Sequence, residues 1–334
     1  MRTIILCDSC FSIKRVYNAT SMERMRAVSE LDPHMYTSEE VFAAPNGFSD
    51  VENIFSTWGM PKLSENDIKK IFPRLKRVFY AAGSVQGFAR PFLACGVEVY
   101  SAWGANGVSV AEYTAAQIIL ANKGFYTLSS MLKQKAIREA GDRKYFYPGV
   151  YGERVGLVGC GMIGSLVAEM LKPHGMEVLV YDPFLSDEKA ERLGVKKCAL
   201  EELFSICSVV SNHLANKKET ENMLRYEHFS LMRPYSSFIN TGRGAQVVED
   251  DLVRILTERP DITAILDVTY PEPAHPSHPF YTLPNCVLTP HIAGSVLSAD
   301  QVRMVEYMIE EYENCKNGRP CRFAVTEKML ETMA

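Results

Sequence analysis

Nine short apolar runs, nearly uninterrupted by polar residues, alternate along this chain with helical patterns, and that beat leaves few folds open. "TIILC", "RVFYAAG", "VEVYSAW", "RVGLVG", "EVLVYD", "SVVSNH", "SSFIN", "TAILDV" and "CVLTP" all read as strands. A strand apolar on both sides needs cover on both faces, which parallel sheets obtain from crossover helices. Between the runs lie stretches such as "MIGSLVAEMLK", where Met162, Ile163, Leu166, Val167, Met170 and Leu171 recur at helical spacing. The implied class is α/β with parallel sheets. At 334 residues the chain has room for two domains of the usual ~100–200 residues.

Composition narrows the partners. With 47% apolar and 23% charged residues and a net charge of −4, there is no basic footprint for nucleic acid or an anionic membrane surface. No apolar run approaches the ~20 residues that span a bilayer. "MRTIILCDSC" is too short in its apolar part for a secretory signal. The nine cysteines are odd in number and scattered, and "CDSC" (Cys7, Cys10) lacks a second pair to complete a zinc site, so structural thiols and a reducing cytoplasm are expected. His275 and His278 are interrupted by prolines, with no Cys or acid to complete a tetrahedral set, so no metal is expected.

Two places read as domain boundaries. "SAWGANGVSVAEYTAAQIILA" starts in a Gly/Asn-containing loop and runs into a long helix. "HIAGSVLSADQVRMVEYMIEEYENC" runs from a turn into another helix, with Ser298 as N-cap and Asp300 in the first turn. One domain inserted in another, joined by two helices, accounts for both. "QKAIREAGDRKYFYPGVYG" has no clean period and reads as an arm or loop that packs on a partner subunit.

The strongest single motif lies between those boundaries. "RVGLVGCGMIGSLVAEML" places Gly159, Gly161 and Gly164 in GxGxxG spacing, after an apolar strand and at the start of an apolar-faced helix. Gly159 permits the tight turn, Gly161 lets a pyrophosphate approach the backbone, and Gly164 allows close helix–strand packing. The helix N-terminus then offers unpaired N–H groups and a positive dipole end to phosphates. Asp182, at the end of the next strand and 18 residues after Gly164, is placed to accept from an adenosine ribose diol and to repel a 2′-phosphate. No Arg or Lys follows before Lys189, which favours NAD over NADP; FAD and S-adenosylmethionine are the competing cofactors.

Three later segments put polar residues at strand ends, where open α/β sheets bind ligands. "FINTGRGAQVV" sets Arg243 between two glycines, and a guanidinium fork suits a carboxylate. "LDVTYPEPAHP" holds Glu272 between Pro271 and Pro273, which stiffen the backbone around it. "TPHIAG" ends a strand at His291. A carboxylate beside an imidazole stabilises the imidazolium and orients the ring. An anchor, an orienting acid and a proton donor beside a nicotinamide are the equipment for reducing a 2-keto acid, or for the reverse oxidation.

With these motifs in place, the chain resembles the D-isomer-specific 2-hydroxyacid dehydrogenase family over nearly its whole length. "GLVGCGMIG" through "YDP", "HLANKKET", "FINTGRG", "LDVTYPEP" and "TPHIAG" occur in order, preceded by "TWGMPKLSENDIKKIFPRLKRVFYAAGSV" and "NGVSVAEY". The resemblance implies two Rossmann-like doubly wound parallel-sheet domains with the active site in the cleft. The substrate domain would comprise 1–104 and 296–334, and the inserted NAD-binding domain 105–295. It implies Arg243, Glu272 and His291 as catalytic residues. Gly83, Ser84 and Val85 would hold the substrate carboxylate together with Arg243. Around the cofactor, Met162, Ile163, His213, Thr220, Thr241, Gly242 and Gly294 would join the glycine turn and Asp182, with Asp267 bonding the nicotinamide carboxamide. Dimerisation through the cofactor domain is the family habit.

There are departures. Where the family often shows Gly-x-Gly-x-Asp/Asn, this chain has Gly83-Ser84-Val85-Gln86-Gly87-Phe88, the usual proline of "HLANKK" is Ala215, and Gly242 stands where Ala or Ser is common. Formate dehydrogenases of the superfamily carry Gln where Glu272 stands, which argues against that substrate. An NADH-binding regulatory protein of corepressor type keeps the same Arg, Glu and His and is the rival function. A different Rossmann enzyme, such as a phosphite or alanine dehydrogenase, is a third. Trp58, Met60, Phe88, Trp103 and Tyr281 are the candidates for a side-chain pocket, with core packing the expected role of each.

Overall fold

Every one of the nine apolar runs is a strand. The computed structural model describes residues 2–134, 147–295 and 299–331. By its internal contacts the chain divides into two units, Met1–Gly107 with Leu297–Ala334, and Val108–Val296. The first begins with β1 (Arg2–Leu6), β2 (Glu30–Tyr36), β3 (Val51–Ser56), β4 (Arg77–Tyr80) and β5 (Glu98–Ser101). The second holds β6 (Arg154–Val158), β7 (Glu177–Tyr181), β8 (Lys196–Lys197), β9 (Val209–Asn212), β10 (Ser237–Asn240), β11 (Thr263–Leu266) and β12 (Cys286–Leu288). The chain then returns to the first unit with β13 (Ala324–Val325), antiparallel to β5. The sheet orders are β13-β5-β4-β3-β1-β2 and β12-β11-β10-β9-β6-β7-β8. Apart from β13, every pairing is parallel. Both units are doubly wound α/β sheets.

The apolar runs lack polar alternation because both faces are covered. In the first sheet Ile4, Ile54, Val78 and Val99 pack into one buried cluster. Their neighbours Ile5, Phe55, Phe79 and Tyr100 pack into the other, with Phe79 stacked between Phe55 and Tyr100. The second sheet repeats the arrangement: Val155, Leu157, Ile239 and Ile265 face one way, Val158, Phe238, Ala264 and Leu266 the other. The strands missed by sequence reading lack this signature. β2 carries Pro33 and no fully buried position, as an edge strand can. Glu52 and Asn53 interrupt β3.

Register positions the candidate site. Val158 pairs with Tyr181 and Asn212, Asn212 with Asn240, Asn240 with Leu266, and Leu266 with Leu288. One carboxyl edge of the second sheet therefore releases, in turn, Gly159, Asp182, His213, Thr241, Asp267 and Thr289 into the loops. β6 has β9 on one side and β7 on the other, the point where strand order reverses and ligands of such sheets bind.

Some expectations change. The Gly/Asn stretch is not a loop: the helix already runs from Trp103 to Asn122. Gly104 lies under the ring of Phe323, where a Cβ would clash, so this glycine serves packing inside a helix rather than a turn. The helix after "TPHIAG" spans Gln301–Lys316, with Asp300 at its N-cap instead of in its first turn. Ser298 lies outside the described residues, as does most of the proposed arm, 135–146. Among the described residues no helix is long and apolar enough to cross a membrane.

Candidate functional site

The glycine turn has the form its spacing predicts. Gly159 sits at φ +97°, and a Cβ there would stand 2.7 Å from the His213 carbonyl oxygen. Gly164 backs onto the Gly159 carbonyl without room for a side chain. Gly161, by contrast, faces open space: nothing lies within 4 Å of the position its Cβ would take. It caps the helix Met162–Leu171, and among the described residues no partner takes up the Met162 or Ile163 amide. An open cradle under free helix-end amides fits a dinucleotide pyrophosphate. Asp182 accepts from the Cys160 amide (2.7 Å) and the Phe184 amide (2.8 Å), which fixes its carboxylate against the turn. Lys189, 29 residues further along the chain, donates from Nζ to the Cys160 carbonyl at 2.6 Å.

The flanking residues are also tied to this edge. The His213 ring is paired with Ser211 Oγ at 3.0 Å, and desolvation pushes its pKa down to about 4, so it is neutral near pH 7. The Thr220 hydroxyl donates to the carbonyls of Ala215 and Lys217, closing the "HLANKKET" loop on itself. Thr241 Oγ1 meets Thr114 Oγ1 at 3.2 Å. Gly294 is buried in the turn after His291.

Arg243 is held by a frame that sequence reading did not find. Gln246, fully buried, accepts from Asn212 Nδ2 (2.7 Å) and the Arg243 amide (3.2 Å) and donates to the carbonyls of Leu214 and Ala215, both at 2.9 Å. Asn212 also donates to Asn240 Oδ1, while Asn240 Nδ2 donates to the Arg243 carbonyl and Asn240 Oδ1 accepts from the Gly242 amide. Three neutral amides thus clamp the turn from three directions. The available signal was that Asn212 and Asn240 end buried strands, where a polar side chain needs a partner. Gly244 is required because the Thr269 carbonyl presses against it. Arg243 Nη1 donates to the Gly242 carbonyl (2.8 Å), and its other guanidinium nitrogens have no partner among the described residues. Burial lowers its pKa and Glu272 opposes that shift.

Glu272 and His291 meet. His291 Nδ1 lies 2.6 Å from Glu272 Oε1, with the two side chains 43% and 40% exposed. His291 Nε2 has no partner among the described residues. The backbone at His291 is left-handed, φ +53°. Such a conformation costs a non-glycine residue on the order of 1–2 kcal/mol. An exposed ion pair returns ~0–1 kcal/mol. The arrangement therefore does not repay itself in stability, which points to function. Asp267, 2% exposed, enforces it: its carboxylate accepts from Thr289 Oγ1 (2.6 Å) and the Ile292 and Ala293 amides (both 2.8 Å), and its carbonyl accepts from the His291 amide (3.0 Å).

In the first unit, Ser101 Oγ donates to the Ala82 (2.9 Å) and Gly83 (2.5 Å) carbonyls, holding the Gly83–Val85 loop; Ser84 is exposed and Val85 buried. Gln86, inside the stretch that departs from the family pattern, donates to the Leu330 carbonyl at 2.6 Å. Met60 and Phe88 belong to the core of this unit, Trp58 packs against it, and Trp103 packs edge-on to Phe323. Tyr281 donates to the Ala274 carbonyl and is half exposed. Cys7 is buried against the Trp58 carbonyl, and all nine cysteines are free thiols. Among the described residues no group of three or more His, Cys, Asp or Glu is placed to hold a metal.

These features define a dinucleotide-binding α/β unit whose carboxyl edge also presents a guanidinium and a carboxylate–imidazole pair. Comparison with known proteins carries this further. Residues 115–293, more than half the chain, match the model of the D-isomer specific 2-hydroxyacid dehydrogenase, NAD binding domain. D-3-phosphoglycerate dehydrogenase of Archaeoglobus fulgidus is 32% identical over 236 residues, 71% of this chain and 44% of that protein. Glyoxylate reductase of Korarchaeum cryptofilum is 36% identical over 169 residues, 51% of each. The chain spans less than half the length of the phosphoglycerate dehydrogenases that it resembles over two thirds of itself. Among solved structures, a phosphoglycerate oxidoreductase from Rhizobium etli superposes with TM-score 0.80 at 19% identity, covering 97% of this chain and 98% of that one. The apo D-mandelate dehydrogenase of Rhodotorula graminis gives 0.78 at 21%, covering 98% and 97%; both likenesses bear on the fold alone. The chain belongs to the D-isomer specific 2-hydroxyacid dehydrogenase family, and its cofactor is NAD.

Proposed function

We propose that the protein is an oxidoreductase interconverting a small 2-keto acid and its D-2-hydroxy acid. The observation that supports this most is the His291–Glu272 pair, held at 2.6 Å beyond the sheet edge that also carries Arg243 and the glycine turn. NADH, when bound, supplies the hydride for the carbonyl carbon. Arg243, whose remaining guanidinium N–H groups are uncommitted among the described residues, grips the substrate carboxylate. His291 donates a proton from Nε2 to the carbonyl oxygen, and Glu272 on Nδ1 stabilises the imidazolium and fixes the ring. In the reverse direction His291 takes the hydroxyl proton. The Gly83–Val85 backbone as a carboxylate donor, and Asp267 as a partner of the carboxamide, are kept as parts of this reading.

Glyoxylate, hydroxypyruvate and other small 2-keto acids are the substrates proposed. A homodimer through the cofactor domain fits the helix Phe125–Lys133, which buries none of its residues and leaves Phe125 and Leu132 51% and 55% exposed. A cytoplasmic location fits the nine free thiols. The test is NADH oxidation across 2-keto acids of increasing size, read as relative kcat/KM. Saturable NADH binding with no oxidation by any of them would sink the dehydrogenase reading in favour of a regulatory NADH-binding protein.

A further inference from the structure

The segment that presents Glu272 is poor in anchors of its own. Pro271, Pro273 and Pro276 have no amide to give. Among the described residues, the backbone amides from Tyr270 to His278 that find an acceptor are those of Tyr270, Ser277 and His278. The last two bond within the loop, to His275. The Tyr270 amide alone reaches outside, to Glu249 Oε1 at 2.8 Å. The other oxygen, Glu249 Oε2, lies 3.4 Å from His278 Nε2. His278 Nδ1 accepts from the Phe280 amide, which leaves the ring proton on Nε2, the nitrogen nearer the carboxylate. Glu249 and His278 are only 12% and 17% exposed.

One carboxylate therefore holds the loop at both ends, two residues before Glu272 and six after it. Its own position matters equally. Glu249 opens the helix Glu249–Glu258, which starts six residues after Arg243, at the end of the amide-clamped turn. We propose that Glu249 is a positioning residue that registers the Glu272 loop against the Arg243 turn, and so sets the Glu272–His291 contact. The role rests on the oxidoreductase reading above for its catalytic meaning. Burial works against charge at this spot: it pushes the Glu249 carboxyl up to about 7, with Asp250 adding to the rise, and it lowers His278. The other groups facing the pair are Cys286 and His275.

Three variants test the role. E249A removes both contacts, E249Q keeps an acceptor for the Tyr270 amide, and E249D withdraws the oxygens by one methylene. The first readout needs no turnover: the downfield proton NMR signal of the His291 Nδ1–H bonded to Glu272. It should persist in wild type and E249Q and be lost or broadened in E249A and E249D. The second is steady-state NADH oxidation. E249A should lower kcat on the order of 10- to 100-fold, as a misplacement near 1 Å does. KM should stay within about threefold because Arg243 is untouched, and E249Q should restore most of kcat. If E249A does not fold, the E249Q and E249D pair decides by the same measures. An unperturbed His291 signal in E249A and E249D, or equal kcat in E249Q and E249D, overturns the positioning role. A wild type without turnover but with the signal lost in E249D would overturn the oxidoreductase reading and leave the positioning intact.

Discussion

Replacing Gln246 by leucine keeps the volume of a fully buried side chain and removes all four of its hydrogen bonds. Two partners have a second bond to fall back on: Asn212 Nδ2 keeps Asn240, and the Ala215 carbonyl keeps Thr220. Among the described residues the Arg243 amide and the Leu214 carbonyl do not. Each buried polar group left unpaired costs ~1–3 kcal/mol. Because Arg243 and Leu214 are half-buried and water can reach part of that loss, the expected destabilisation is about 2–4 kcal/mol. For a unit the size of Val108–Val296, that corresponds to a fall of roughly 4–16 °C in Tm. Differential scanning calorimetry measures it, and a 2-keto acid titration at saturating NADH measures the consequence for Arg243. The KM should rise about tenfold or more, the loss of a well-aimed charged contact. A melting temperature within about 1 °C of wild type, with an unchanged KM, would refute the amide frame as the support of Arg243.

Other substitutions separate the remaining roles. G161A fills open space, so Tm should hold while NADH affinity drops in a fluorescence titration; G159A, forced to φ +97° against the His213 carbonyl, should lose stability as well, and equal behaviour of the two would contradict the turn geometry. H291A should cut turnover ~10²- to 10⁴-fold with NADH binding unchanged, and retained turnover would remove His291 from the chemistry. R243A should raise substrate KM as well as slow the reaction; an unchanged KM would count against anchoring. The Glu249 carboxyl, raised in the folded state to about 7 from 4.5, adds stability that is complete below pH 4.5 and is lost as pH rises through 7. After a discount for its partial exposure this amounts to about 2 kcal/mol. Calorimetry from pH 5 to 8 should show a steeper decline of Tm in wild type than in E249Q, and parallel curves would argue against the raised carboxyl.

Much of the fold was legible because burial writes itself into apolar runs. All nine runs lie in strands covered on both faces, and the turn at Gly159 depends on local backbone requirements that a glycine pattern records directly. What the sequence hid was long-range or polar. β2 is an edge strand with a proline in it and no fully buried position, and nothing in its composition asks for a sheet. The Gly/Asn stretch at Gly104 reads as a loop until Phe323, over two hundred residues later, is found lying on it. Of the candidate site, Arg243, Glu272 and His291 stood out by motif, and the structure brings Glu272 and His291 into contact. The residues that hold them, Asn212, Asn240, Gln246, Glu249 and Asp267's neighbour Thr289, act through partners distant in the chain, and only Asn212 and Asn240 show a local sign, as polar ends of buried strands.

The neutrality of the three clamping amides has a consequence for how the site responds to its medium. A turn held by ion pairs would loosen as salt rises, since free charges are screened beyond a Debye length of ~8 Å at physiological ionic strength. Carboxamide contacts buried among themselves feel almost none of that screening. Arg243 can thus keep one orientation from dilute buffer to concentrated brine, while the long-range pull it exerts on an incoming anion fades, so added electrolyte should slow capture of the acid without reshaping the place that receives it.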